Sequence, residues 1–178
     1  ANVLLQKKNV LHISLEMSQE ITAQRYDMRL LGLTKEELNS KKAVERLKEI
    51  LSNHLGRLII KRYPSDTVTA TDIATFIKRL EMVKDFVPDI VIIDYADIMR
   101  STHHYSDRRF ELDSIYNQVR NLGIEFKVPI VTATQLNRSA LERLESGKIL
   151  TESNIAESYG IARIVDAGVT INSTPVDS

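Results

Sequence analysis

Residues 89–95, Asp-Ile-Val-Ile-Ile-Asp-Tyr (DIVIIDY), decide the fold. Ile90 to Ile93 are β-branched and apolar without a polar alternation, so neither face of this strand is built for water. A short apolar run of that kind is a central parallel strand covered by helices on both sides. Asp94 closes it, placing a carboxylate where the strand leaves the sheet.

The pattern continues in both directions. Val10 to Leu15 (VLHISL), Leu58 to Arg62 (LIIKR), Pro129 to Thr134 (PIVTAT) and Ala167 to Ile171 read as further short strands. Helical periodicity fills the spaces between them. Ser18 is placed to cap a helix over Gln19 to Leu31, which Gly32 stops. Thr34 and Glu37 form a T-x-x-E capping box for a short helix. Lys41 to His54 sets Val44, Leu47, Ile50 and Leu51 on one face, and Gly56 ends it. Thr69 with Asp72 opens a helix that carries Ile73, Phe76, Ile77, Leu80 and Val83 toward Pro88. Arg100 to Asp107 is a polar loop before a helix from about Phe110 to Phe126, Asn137 to Thr151 an extended loop, and Ser153 to Ile164 a short helix. Strands alternating with helices predict one α/β domain, a mostly parallel central sheet with helices on both faces. Neither repeats nor a linker divide it.

Composition narrows the function. Lys plus Arg and Asp plus Glu both number 24 in 178 residues, so bulk positive charge does not drive nucleic-acid binding. The absence of Cys excludes a disulfide scaffold and thiolate chemistry. With 43% apolar and 27% charged residues the chain is of ordinary globular type. No run approaches a membrane span, the first residues are not a signal peptide, and the expected compartment is the cytoplasm of a bacterial or phage-infected cell.

In an open parallel sheet, ligands bind beyond the carboxyl ends of the strands. Glu16, Asp94 and Gln135 each follow a predicted strand. Were those strands neighbours, the three side chains would converge at one edge. A carboxylate after an apolar strand can hold Mg²⁺ through water, a second can orient and deprotonate an attacking water, and an amide can sense a terminal phosphate. His103 and His104 with Asp107 suggest a metal site only superficially, because adjacent residues do not face one ligand together. His12 lies in an apolar strand and reads as a core histidine; His54 reads as support for a helix end. Ser139 has no His and acid partners for nucleophilic catalysis.

HISLEMS, DIVIIDYADIM and VPIVTATQLNR resemble successive motifs of the RecA-like motor domain of DnaB-family replicative helicases. LGRLIIKRYP, KDFVPDIVIIDY and SNIAESYG are closest to the T-even phage type within that family. The resemblance runs from about Lys8 to Ile171. It implies an ATP-dependent DNA helicase, a hexameric ring that uses ATP and Mg²⁺ to move on single-stranded DNA, with primase and a helicase loader as candidate partners and no membrane contact. Residue by residue, Glu16 matches the glutamate that activates the hydrolytic water. Asp94 matches the acid of the magnesium-binding strand, acting through water. Gln135 matches the residue coupling γ-phosphate state to the DNA-binding loops. Arg138 and the Glu157-Ser158-Tyr159-Gly160 segment fall where family members present loops to DNA, with Glu157, Ser158 and Gly160 as backbone contacts and Tyr159 more readily packed than stacked on a base.

The departures are as informative. No G-x-x-x-x-G-K-[ST] occurs, so the backbone cradle and Lys that grip β- and γ-phosphates are missing and no cofactor-binding residue is assigned. Ala1 to Lys8 reads as the tail of a helix, and the chain stops soon after its last strand. The expectation is one RecA-like core over 1–178, truncated at both ends, with the phosphate cradle before residue 1 and a basic finger after residue 178. Such a finger supplies about 10³–10⁵ in rate, so the chain alone is expected to be nearly inert. The alternatives are a recombinase or another ATPase of the same fold, and a non-catalytic adaptor lacking the phosphate cradle.

Overall fold

The computed structural model describes residues 1–38, 40–52, 55–135 and 159–169, without the side chains of 51, 52 and 159. Four strands, β1 (Val10–Ser14), β2 (Leu58–Arg62), β3 (Ile90–Asp94) and β4 (Ile130–Thr132), form one sheet in the order β2-β1-β3-β4. Every pairing is parallel, with Ser14 opposite Asp94 and Ile93 opposite Thr132.

Alternation along the strands divides the interior into two layers. Leu11, Ile13, Leu15, Val91 and Ile93 face α5 (Ala70–Lys84) and α6 (Arg108–Phe126), whose Ile73, Ile77, Ile115 and Val119 complete the larger core. Burying an aliphatic side chain of this size contributes about 1.5–3 kcal/mol. On the opposite face Val10 packs with Leu4 of α1 (Asn2–Leu5) and Tyr26 of α2 (Gln19–Leu31). α3 (Lys35–Leu38) and α4 (Lys41–Ser52) follow α2 before the chain returns as β2. β1 therefore connects sideways to β2, whereas β3 connects through α6 to β4 on the other side. These opposite departures make the carboxyl ends of β1 and β3 the topological switch point of the sheet.

Local signals account for the element ends. Ser18 Oγ accepts the Ile21 N–H, and Gly32 ends α2 at φ 66°, a left-handed position that glycine adopts without strain. Thr34 and Glu37 bond reciprocally, as do Thr69 and Asp72. α5 stops at Lys84, short of Pro88, because Asp85 turns left-handed and proline disfavours helix in the residue before it. α6 begins at Arg108, two residues earlier than expected, because Asp107 accepts the Arg109 N–H. β4 is shorter than its apolar run: beyond Thr132 the chain leaves the ladder, and the Gln135 N–H goes to a carboxylate instead.

The strand expected over Ala167 to Ile171 is not formed by Ala167–Val169, where Val169 is 91% exposed. Residues 170 and 171, the loop expected over 137–151, His54, Ser139 and the first part of the 153–164 helix lie outside the described residues. The end of that helix is α7 (Tyr159–Ile164), which seats Ile161 in the core beside α6. Arg120 of α6 fixes it through the Ile164 carbonyl (3.0 Å) and the Asp166 carboxylate (2.8 Å). Among the described residues no helix is long and apolar enough to cross a membrane.

Candidate active site

Glu16 sits in the bend between β1 and α2, and the bend is built from a buried serine. Ser14 Oγ donates to the Met17 carbonyl (2.8 Å) and accepts the Met17 N–H (3.2 Å), folding residues 14–17 back over the strand end. Leu15 extends the ladder by donating to the Asp94 carbonyl at 2.9 Å, which ties the Glu16 bend to the end of β3. Glu16 is exposed and Asp94 half-buried. Among the described residues no hydrogen bond or ion pair engages either carboxylate. A half-buried carboxylate without a donor is unfavourable unless water or a cation completes it.

Gln135 reaches the same edge from β4. Its side-chain amide donates to the Tyr95 hydroxyl at 2.8 Å. Burial raises the pKa of the Tyr95 phenol, and the negative charges of Glu16, Asp97 and Asp94 raise it further, while the bond from Gln135 opposes them. Tyr95 thus stays protonated in the field of three carboxylates. The structure brings Glu16, Asp94 and Gln135 together around it.

Asp97 lies beneath, 9% exposed, in the 3₁₀ turn Ala96–Ile98. Its carboxylate accepts the Tyr116 hydroxyl (2.6 Å), the Thr134 hydroxyl (2.9 Å) and the Gln135 N–H (3.1 Å). The Asp97 carbonyl accepts the Arg108 guanidinium. Burial first, and the neighbouring Asp97 charge second, push the Tyr116 phenol far above its ordinary pKa, so it remains a donor. Thr132 Oγ1 stitches the same segments one step inward, accepting the Ala96 N–H and lying 2.9 Å from the Ile93 carbonyl.

Tyr95 and Asp97 were not among the candidates drawn from the sequence. Their signal was present, since YAD directly follows Asp94 and puts two polar side chains into a loop at a strand's carboxyl end. Which segment they would meet depended on β4 lying beside β3. Arg138, Glu157 and Ser158 lie outside the described residues. Gly160 is in α7, against α6, so close that an added Cβ would overlap the Asp113 carboxylate.

His12 is buried in β1, its Nδ1 3.0 Å from the Tyr26 hydroxyl, and its Nε2 has no hydrogen-bond partner. His103 and His104 are exposed on the 100–107 loop, with His103 Nδ1 3.0 Å from Thr102 Oγ1.

Comparison with known proteins places this geometry in a family. Residues 1–172 match the model of the DnaB-like helicase C terminal domain. The chain is 30% identical to the DnaB-like replicative helicase of Enterobacteria phage T4, covering 93% of this chain and 36% of that protein. It is 25% identical to the replicative DNA helicase DnaB of Buchnera aphidicola subsp. Baizongia pistaciae, covering 90% of this chain and 35% of that one. The chain thus spans about a third of the length of these relatives. Among solved structures, the ATPase domain of a phage helicase superposes with a TM-score of 0.74 at 17% identity, covering 93% of this chain and 59% of that one. A DnaB-like replicative helicase whose interactions with primase were also described gives 0.72 at 16% identity, covering 93% and 40%.

Proposed function

The chain belongs to the DnaB-like helicase C-terminal domain family, and on that premise we propose that it is the core of an ATP-driven replicative DNA helicase motor. One observation carries the reading. Glu16, Asp94 and Gln135 meet at the carboxyl ends of three adjacent parallel strands, and both carboxylates are open to a ligand. Hydrolysis of a phosphoanhydride needs little more from protein side chains than positioning and charge.

In this reading Glu16 is the general base that orients and deprotonates the attacking water, a role suited to an exposed carboxylate on a braced bend. Asp94 holds Mg²⁺ through water, and the ion would neutralise charge on the phosphates during transfer. Two oxygen-only side chains, one partly desolvated, suit a hard cation that keeps most of its own waters. Gln135 senses the terminal phosphate, and its backbone leads directly into the segment toward Arg138. That segment, with Glu157, Ser158 and Gly160, is proposed to meet single-stranded DNA, Gly160 through its backbone. The phosphate cradle is not in this sequence. ATP binding is therefore proposed for the full-length protein, of which residues 1–178 form the central part of the motor domain. A closed head-to-tail hexamer, primase and loader contacts and a cytoplasmic setting complete the proposal.

The test is Mg²⁺-dependent ATP hydrolysis by the full-length protein, with and without single-stranded DNA, for wild type and Glu16→Gln. DNA-stimulated turnover that falls at least about a hundredfold in the variant supports both the motor and its base. Turnover that survives the substitution removes Glu16 from that role, and no turnover in the folded wild type ends the helicase reading.

A further inference from the structure

Gln135 is held twice, and by different residues of one turn. Its side chain donates to Tyr95 and its backbone N–H to Asp97, the two residues that flank Ala96 just after Asp94. We propose that Asp97 is a positioning residue for the motor: its buried carboxylate fastens the exit of β4 to the Asp94 loop, so that Gln135 follows changes at Asp94. The inference rests on the reading of Gln135 given above.

Three features point this way. The carboxylate is satisfied by neutral donors from α6 and from the end of β4, and among the described residues no ion pair engages it. A buried charge held only by neutral groups is an expensive means of filling space, and an apolar side chain would pack the same volume at lower cost. The bonds are also concentrated. Thr134 and Gln135 are consecutive residues at the point where the chain has left the sheet, beyond the backbone ladder that orders Ile130–Thr132. Asp97 is what continues the attachment there. Finally, the Arg108 guanidinium and the Tyr116 hydroxyl fix Asp97 itself from α6, so the clamp has a rigid support.

The role is separable from simple stabilisation by replacing the acceptors. In Asp97→Ala the Gln135 N–H and Thr134 hydroxyl lose their partner. In Asp97→Asn the remaining carbonyl oxygen can still accept both, while the new amide donates to Tyr116, whose oxygen can accept. The experiment measures ATP hydrolysis by the full-length protein, basal and saturated with single-stranded DNA, together with KM for ATP and the melting temperature. Expected for Asp97→Ala is a fall of about tenfold in the ratio of stimulated to basal kcat, with KM for ATP within about twofold. Asp97→Asn is expected to restore most of the ratio. Should Asp97→Ala fail to fold, Thr134→Val removes one bond at the same oxygen and is expected to lower the ratio about threefold, with Thr134→Ser restoring it. An unchanged ratio in the folded alanine or valine variant overturns the inference, as does an equal loss of basal and stimulated turnover. A wild type without DNA stimulation fails at the earlier step, the helicase reading itself, and is distinguished by needing no variant.

Discussion

The Gln135 amide donates to the Tyr95 hydroxyl at 2.8 Å, joining the residue after β3 to the last described residue beyond β4. Because the surrounding carboxylates and burial keep the phenol protonated, this oxygen is a steady acceptor across the neutral pH range. Tyr95→Phe removes it with almost no change in volume. The bond is a neutral one near the surface, so the expected loss of stability is at most about 1 kcal/mol. The larger effect is expected in DNA-stimulated hydrolysis by the full-length protein. If Gln135 acts through this hydroxyl, Gln135→Ala on top of Tyr95→Phe adds little to the defect of either alone. Fully additive losses in that double-mutant cycle would separate the two residues.

A second prediction concerns the bend that carries Glu16. Ser14 is fully buried, and its hydroxyl both donates to and accepts from Met17. Ser14→Ala leaves the Met17 N–H and carbonyl without that partner, for an expected loss of about 1–2 kcal/mol in a urea titration. The chemistry should suffer more than the fold, since Glu16 lies inside the loosened bend. A variant with wild-type turnover and wild-type midpoint would show that the bend is held by something else.

Much of this architecture was legible in the sequence because local signals agreed with global ones. The apolar run Ile90–Ile93, the Thr69–Asp72 capping box and the Ser18 and Gly32 helix ends each dictate a backbone state without reference to distant residues. The resemblance of HISLEMS, DIVIIDYADIM and VPIVTATQLNR to one helicase family identified Glu16, Asp94 and Gln135 as candidates, and the strand order brings those three to one edge. What stayed hidden was non-local. Asp97 looked like one polar residue in a turn, because its donors come from Tyr116, Thr134 and Gln135, 19 to 38 positions away. The early end of β4 was hidden for the same reason, since a tertiary acceptor competes with the ladder for the Gln135 N–H.

The capping box of α5 yields a third prediction. Thr69 Oγ1 accepts the Asp72 N–H at 3.2 Å, and Asp72 accepts from both the backbone and the hydroxyl of Thr69. Thr69→Ala is expected to cost about 1 kcal/mol. The bonds from Thr69 lower the pKa of Asp72, so the ionised form is the one the folded chain prefers. Its contribution is fully present above the ordinary carboxyl value of 3.8 and is lost as pH falls through the lowered folded value. The stability difference between wild type and Asp72→Asn, followed by denaturant titration, should therefore be constant from neutral pH to about 5 and narrow only in stronger acid. A difference that already narrows near pH 6 would mean that another group is responsible.

His12 supplies the opposite sign. Its pKa is lowered by burial in β1, a shift that the Asp94 carboxylate partly opposes and the terminal ammonium of Ala1 slightly reinforces. The unfolded chain then takes up a proton near the ordinary value of 6.5 while the folded chain resists it. Above that value His12 is neutral in both states and contributes no pH dependence. As pH falls through it the folded state loses stability, with a slope of at most about 1.4 kcal/mol per pH unit, until the lowered folded value is reached. The ring's Nε2, which has no hydrogen-bond partner, gives the proton no acceptor in the folded chain. His12→Gln is expected to lose some stability at neutral pH, because the contact with the Tyr26 hydroxyl changes, yet to show a flatter profile between about pH 6.5 and 5. Chemical denaturation at half-unit pH steps measures both slopes, and an identical slope in wild type and variant would mean that His12 does not titrate on unfolding.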